Sequence, residues 1–189
     1  MKKSTRSLVL CAMCTALTCV LAPVSIPVGQ VPISLATFAV MLSAALLDPK
    51  WGVLSQVVYL LLGCIGLPVF AGFSSGVASV AGPTGGYLLG YLALAAVEGV
   101  LYRMLSHSGQ KLLKKSGALV LSMAVGTAVL YAFGTVWFCA VTHTPVGAAL
   151  MVCVVPFLLG DVAKIAVVTA LEPQLERVRD RLDRSVQAV

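Results

Sequence analysis

Long apolar runs separated by short polar turns leave this chain almost no way to fold in water. Six such runs stand out, at about residues 7–22, 31–47, 51–67, 85–105, 117–140 and 156–176. Each is close to the roughly 20 residues that an α-helix needs to cross a bilayer. Only 11% of the 189 residues are charged, where a soluble domain carries roughly 25%, and the mean hydropathy is +1.00. The expected fold is therefore all-α: one polytopic membrane domain over residues 1–189 with six transmembrane helices and no separate soluble part.

The net charge of +6 raises the question of an anionic partner, and the placement of the charges answers it. Lys2, Lys3 and Arg6 precede the first run, Lys50 sits in the turn Asp48-Pro49-Lys50, and Arg103, Lys111, Lys114 and Lys115 surround the loop at residues 107–116. Arg177, Arg179, Arg181 and Arg184 lie in the tail. With alternating spans, these twelve of the thirteen basic residues fall on one side, and the positive-inside rule makes that side and both termini cytoplasmic. The excess positive charge then encodes orientation in the bilayer, with lipid headgroups as its contacts, and nucleic acid is not expected as a partner. The start resembles a signal peptide. Ala22 followed by Pro23 makes a poor cleavage site, so a retained first helix is expected. Its Ala12 and Ala16 form a small-xxx-small pair, suited either to packing inside the bundle or to docking a membrane partner.

Residues 23–32 hold three prolines and no charge, which predicts an ordered outer loop. Trp51 is a candidate interfacial anchor, and Gln56 a bundle-facing hydrogen-bonding residue. Residues 68–83 form the longest outer loop, rich in small residues and carrying Phe70 and Phe73, able to serve as a lid or as a plain linker. Glu98, toward the inner end of the fourth run, is expected to reach the interface or to pair with Arg103. A last span beginning at Pro145 would be about 40 Å long with Pro156 in its interior, longer than the roughly 30 Å hydrocarbon core. Pro156 instead suits a first turn, so residues 145–155 are expected as a short outer helix or loop over the mouth of the bundle.

Two segments carry chemistry. Gly82-Pro83-Thr84-Gly85-Gly86-Tyr87-Leu88-Leu89-Gly90-Tyr91 opens the fourth helix with glycines, which leaves backbone N–H groups bare for a polar or anionic group. Gly82, Gly86 and Gly90 are also spaced i, i+4, i+8, as helix packing requires, and the spacing does not choose between the two. Asp161 and Lys164, at i and i+3, share a helix face within the hydrocarbon zone. Charges at that depth cost several kcal/mol each and must face a polar interior. They form either a bridge that locks helices or the polar end of an outward-facing pocket for a ligand with N–H donors and a carboxylate, its apolar part covered by helix walls, Tyr87 and the loop phenylalanines. No G-x-x-x-x-G-K-[ST] is present, so ATP binding through a P-loop is not expected. No H-E-x-x-H, metal-ligand cluster or nucleophile–base set points to an enzyme. His107 and His143 are placed on opposite sides. The six cysteines, Cys11, Cys14, Cys19, Cys64, Cys139 and Cys153, lie in apolar surroundings as small packing residues.

At these residues the chain resembles the BioY family, the biotin-specific substrate-binding (S) components of energy-coupling-factor (ECF) transporters. The likeness extends over nearly the whole chain. It rests on Gly82-Pro83-Thr84-Gly85-Gly86-Tyr87, on Pro156-Phe157-Leu158-Leu159-Gly160-Asp161-Val162-Ala163-Lys164 and on Val31-Pro32-Ile33-Ser34-Leu35-Ala36-Thr37-Phe38. The resemblance implies biotin bound at the outer face as transported substrate, with no cofactor. Asp161 and Lys164 would be its polar contacts, and Thr84, Gly85, Gly86 and Tyr87 would line the pocket. It further implies that Ala12 and Ala16 meet a transmembrane coupling subunit, that two partner ATPases supply the energy, and that the chain resides in the bacterial cytoplasmic membrane. The competing expectations are a binder of another vitamin on the same scaffold and a structural subunit locked by the Asp161–Lys164 bridge.

Overall fold

A computed structural model of the chain describes residues 3–27, 31–106 and 112–187; Lys2, His107 and Lys111 lie outside the described residues, as do the side chains of Lys3, Arg179, Arg181 and Arg184. Eight α-helices are formed among the described residues: α1 (Lys3–Leu21), α2 (Ala36–Leu46), α3 (Pro49–Cys64), α4 (Val77–Ala81), α5 (Gly85–Leu105), α6 (Leu112–Thr142), α7 (Val146–Cys153) and α8 (Val155–Gln187). Each of the six apolar runs overlaps one of the longer helices. By length and composition, α5 and residues 113–142 of α6 are sufficient to cross a membrane, and α7 with α8 form a third candidate bent by 40°. Leu8, Met13, Val20, Val136 and Leu159 are among the large apolar side chains left facing outward. So large an apolar exterior requires a lipid environment.

The boundaries depart from the apolar runs where backbone chemistry intervenes. Helix α2 starts at Ala36, not at residue 31. The stretch before it is a strand, β2 (Ile33–Ser34), paired antiparallel with β1 (Ser25–Ile26) in the register Ser25–Ser34 and Ile26–Ile33. Pro32 favours that extended entry, and the Ser34 hydroxyl ties it down by donating to the Ala22 carbonyl at 2.8 Å. Helix α3 opens two residues early, with Pro49 in its first turn. Helix α6 has 31 residues and is about 46 Å long. Residues 145–155 form the short helix expected there, α7, and the chain then breaks at Val154. Pro156 has no N–H to continue the ladder to residue 152, so α8 starts anew.

Helices α5 and α6 make the most extensive packing pair, with α2 and α3 against α5, α1 against α3, and α8 against α2 and α6. Gly86 and Gly90 are what allow the α5–α6 approach. A Cβ on Gly86 would sit 2.2 Å from Trp137 Cβ and 3.0 Å from the Phe133 carbonyl, and one on Gly90 2.7 Å from Leu130. Gly134 on α6 accepts the Tyr87 ring in the same way. The core divides into two clusters. One, rich in aromatics, includes Tyr59, Phe70, Tyr87, Tyr91, Phe138 and Phe157. The other, toward the opposite helix ends, includes Met41, Tyr102, Leu119, Met123 and Val168. There Glu172 of α8 accepts from the Tyr102 hydroxyl at 3.0 Å and from Ser116, joining α5, α6 and α8.

Gly86→Val should lower stability by about 1–3 kcal/mol through overpacking, read as a drop in the thermal unfolding temperature of detergent-purified protein. Gly147→Ala, at a position with open space around it, should leave that temperature unchanged.

Candidate functional site

A cavity of about 200 Å³ opens among α2, α3, α5, α8 and the segment after α3. Its walls are largely aromatic: Tyr59, Phe70, Tyr87, Tyr91 and Phe157. Phe70 is buried because its ring lies on Gly63, where even a Cβ would stand 2.0 Å from it, and it meets Tyr59 edge-on at 5.6 Å. Tyr87 and Phe157 stack at 6.4 Å. Two of the three tyrosine hydroxyls are committed to the protein. Tyr59 donates to the Val69 carbonyl at 3.2 Å and Tyr87 to the Cys153 carbonyl at 3.0 Å. The Tyr91 hydroxyl has no hydrogen-bond partner among the described residues, while its ring lines the cavity. Phe73, the second loop phenylalanine, points outward and is exposed.

Behind the Ser34 wall of this cavity lies the charged pair. Asp161 follows Phe157 by one helical turn, so the face that closes the cavity continues into the acid. Lys164 Nζ donates to Asp161 Oδ1 at 2.9 Å, to the Ser34 carbonyl at 2.9 Å and to Thr37 Oγ1 at 2.7 Å. Asp161 also accepts from Thr37 at 3.4 Å and, on Oδ2, from the Tyr131 hydroxyl. Asp161 and Lys164 are only 4% and 8% exposed, so each charge depends on the other and on these bonds; removing one partner of such a pair costs roughly 3–5 kcal/mol. Ser34 is the link to the cavity. It lines the wall, its carbonyl accepts from Lys164, and its hydroxyl accepts from the Ala36 N–H at 2.9 Å.

The residues singled out from the sequence are thus distributed unequally. Thr84 and Tyr87 line the cavity. Gly85 and Gly86 do not. They are buried against Val80 and Trp137, where a Cβ on Gly85 would stand 1.7 Å from the Val80 carbonyl. The expectation of a bare helix start at Gly85 is corrected as well, because its N–H donates to the Gly82 carbonyl at 3.0 Å. Asp161 and Lys164 stand behind the wall, reached through Ser34. Ala12 and Ala16 face outward on α1. Glu98 requires another correction. It is fully buried, and neither carboxylate oxygen has a hydrogen-bond partner among the described residues. Arg103 instead pairs with Asp48 at 2.8 Å. Five residues along a helix separate side chains by about 140° around the axis, so Glu98 and Arg103 face different neighbours.

Thr37, Tyr131 and Tyr91 were not singled out as site residues. Thr37 is one of two hydroxyl residues, with Ser43, in the otherwise apolar α2, a weak signal. Tyr131 is the one tyrosine of α6 and Tyr91 one of three in α5, and only the packing of α5, α6 and α8 brings them to Asp161 and the cavity.

The BioY family profile matches residues 1–181. The chain belongs to the BioY family. It is 38% identical to the biotin transporter BioY of Thermotoga maritima over 92% of this chain and 97% of that one. It is 34% identical to the probable biotin transporter BioY of Pyrococcus horikoshii, over 88% and 94%. Among solved structures, it superposes on the crystal structure of the S-component for biotin from an ECF-type ABC transporter with a TM-score of 0.81. That match has 28% identity and covers 94% of this chain and 95% of the other. A second S component of a bacterial ECF transporter matches at TM-score 0.56 and 14% identity, which speaks to fold alone. The architecture of this BioY family member is the S-component fold.

Proposed function

We propose that this chain captures biotin at the outer face of the bacterial cytoplasmic membrane and delivers it inward as the S component of an ECF transporter. The observation that carries the proposal is a cavity walled by aromatic rings with the buried Asp161–Lys164 pair, braced by Thr37 and Tyr131, directly behind its Ser34 wall. Membership in the BioY family and the match to a biotin S component support biotin as the substrate. In this account Asp161 and Lys164 supply the polar recognition, Thr84 and Tyr87 shape the wall, and Gly85 and Gly86 set the helix approach that fixes Tyr87. Six helices cross the membrane with both termini cytoplasmic, and biotin is cargo, so no cofactor is required.

The energising partners are a transmembrane coupling subunit and two ATPases. The outward-facing small residues Ala12 and Ala16 on α1 are where the coupling subunit docks, since small side chains let two helices approach closely.

Cells expressing the chain with an ECF module should accumulate radiolabelled biotin. Asp161→Asn and Lys164→Ala should each reduce uptake more than tenfold while purified protein keeps its helical circular-dichroism signal; unchanged uptake in both would make the pair a packing bridge only. If labelled biotin is not taken up but another vitamin is, the scaffold serves a different substrate.

Replacing Ala12 and Ala16 together by Trp should abolish co-purification with the coupling subunit and leave biotin binding by the isolated chain intact. Loss of both would assign the two alanines to internal packing.

A further inference from the structure

Three acids are buried among the described residues: Glu98, Asp161 and Glu172. Two of them are satisfied. Asp161 accepts from Lys164, Thr37 and Tyr131, and Glu172 from Tyr102 and Ser116. Glu98 is 0% exposed, and neither carboxyl oxygen meets a donor among the described residues. It stands seven residues, or about 10 Å, along α5 from Tyr91, away from the cavity.

The cause is local. Tyr102 follows Glu98 by one helical turn, but its hydroxyl donates to Glu172 at 3.0 Å. Arg103 is taken by Asp48 at 2.8 Å. Across the seam, α6 presents Gly126, where a Cβ would stand 3.4 Å from Glu98 Cβ and 2.8 Å from Leu94 Cδ1. A helix backbone so close keeps its N–H groups for its own carbonyls and offers the acid nothing. The other elements packed on α5 are α2, α3 and α4. Helices α2 and α4 have no titratable side chain. On α3, Lys50 is exposed, Tyr59 donates to the Val69 carbonyl, and Cys64 is at the far end from Pro49, the residue that meets Gly99. On α6, Tyr131 is bonded to Asp161. Lys114 is exposed, Lys115 lies eleven residues from Gly126, about 16 Å along the helix, and Cys139 lies still farther in the other direction.

An ionised carboxylate in this position would have neither a counter-charge nor a hydrogen bond, the costliest state for a buried group. A proton removes that cost, because it turns the carboxylate into a neutral acid. We propose that Glu98 is a proton-binding site: the closed α5–α6 seam takes up one proton there and holds the side chain as the neutral acid at about pH 7. One proton is bound by one carboxylate when the seam closes, and it returns to water when the seam opens. An exposed glutamate carries no proton above about pH 5. The folded chain then binds one proton more than the unfolded chain at this position, so the stability that the seam contributes falls as pH rises. Each pH unit shifts the unfolding equilibrium about tenfold. Tyr87 and Tyr91 sit on the same helix as Glu98, which links this proton to the helix that forms part of the cavity wall.

The test compares the detergent-purified full chain with Glu98→Gln and Glu98→Leu, either of which stands in for a neutral acid. Infrared spectra of the wild type at about pH 7 should contain the C=O stretch of a protonated carboxylic acid, and that band should be missing from a variant. Between about pH 6 and pH 8 the thermal unfolding temperature of the wild type should fall relative to the same variant. A wild-type spectrum without the band, a band unchanged in the variant, or equal pH dependence of the two proteins overturns the proposal. Failure of both variants to fold would mark Glu98 as an ionised, paired group and overturn it as well.

Discussion

The bond on which this structure depends is the one between Lys164 and Asp161, because it holds a cation and an acid together inside a largely apolar bundle. Asp161 and Lys164 are 4% and 8% exposed, and removing either partner of such a buried pair leaves the other without its compensating bond. Their bonds also reach outward: to β2 through the Ser34 carbonyl, to α2 through Thr37 and to α6 through Tyr131. Helix α8 is thereby fixed against the two elements that flank the cavity. The Ser34 hydroxyl carries the constraint on to Ala22 at the end of α1. A pair satisfied in this way is preorganised. A ligand that arrives finds the polar groups already oriented and loses little to ordering them.

The cavity walls depend on close approach of backbone and ring. Phe70 reaches its place only because residue 63 is glycine, and Tyr87 only because residue 134 is. The segment between α3 and α4 turns through Gly66, Gly72 and Gly76, all at positive φ, a conformation that glycine adopts without strain. The two loop phenylalanines, indistinguishable in the sequence, therefore have different roles. Phe70 is part of the wall, and Phe73 faces out.

Much of this was legible in the chain. Helix α5 has the bounds its apolar run suggested, the break before Pro156 follows from proline chemistry, and the i, i+3 spacing of Asp161 and Lys164 places them on one face. Local signals of that kind need only one helix. What depended on several helices was not legible. Thr37 is 127 positions from Lys164, and Tyr131 is brought to Asp161 by the α6–α8 packing. The strand pairing that delays α2 competes with an apolar pattern that reads equally well as helix. Glu98, expected at the interface or on Arg103, is instead fully buried, and the helical rotation between the two gives Arg103 to Asp48. The glycines of the 82–90 segment could be read as ligand contacts or as packing residues, and only the position of Trp137 decides in favour of packing at Gly86.

The central claim is that the cavity backed by this braced pair binds biotin. Calorimetric titration of the detergent-purified chain with biotin tests it most directly. Saturable binding at one biotin per chain, with a negative heat-capacity change from burial of the apolar ring against the aromatic wall, is the predicted result. Absence of any binding heat across several temperatures, in protein that retains its helical signal and unfolds cooperatively, would contradict the account and leave Asp161 and Lys164 as a bridge between helices.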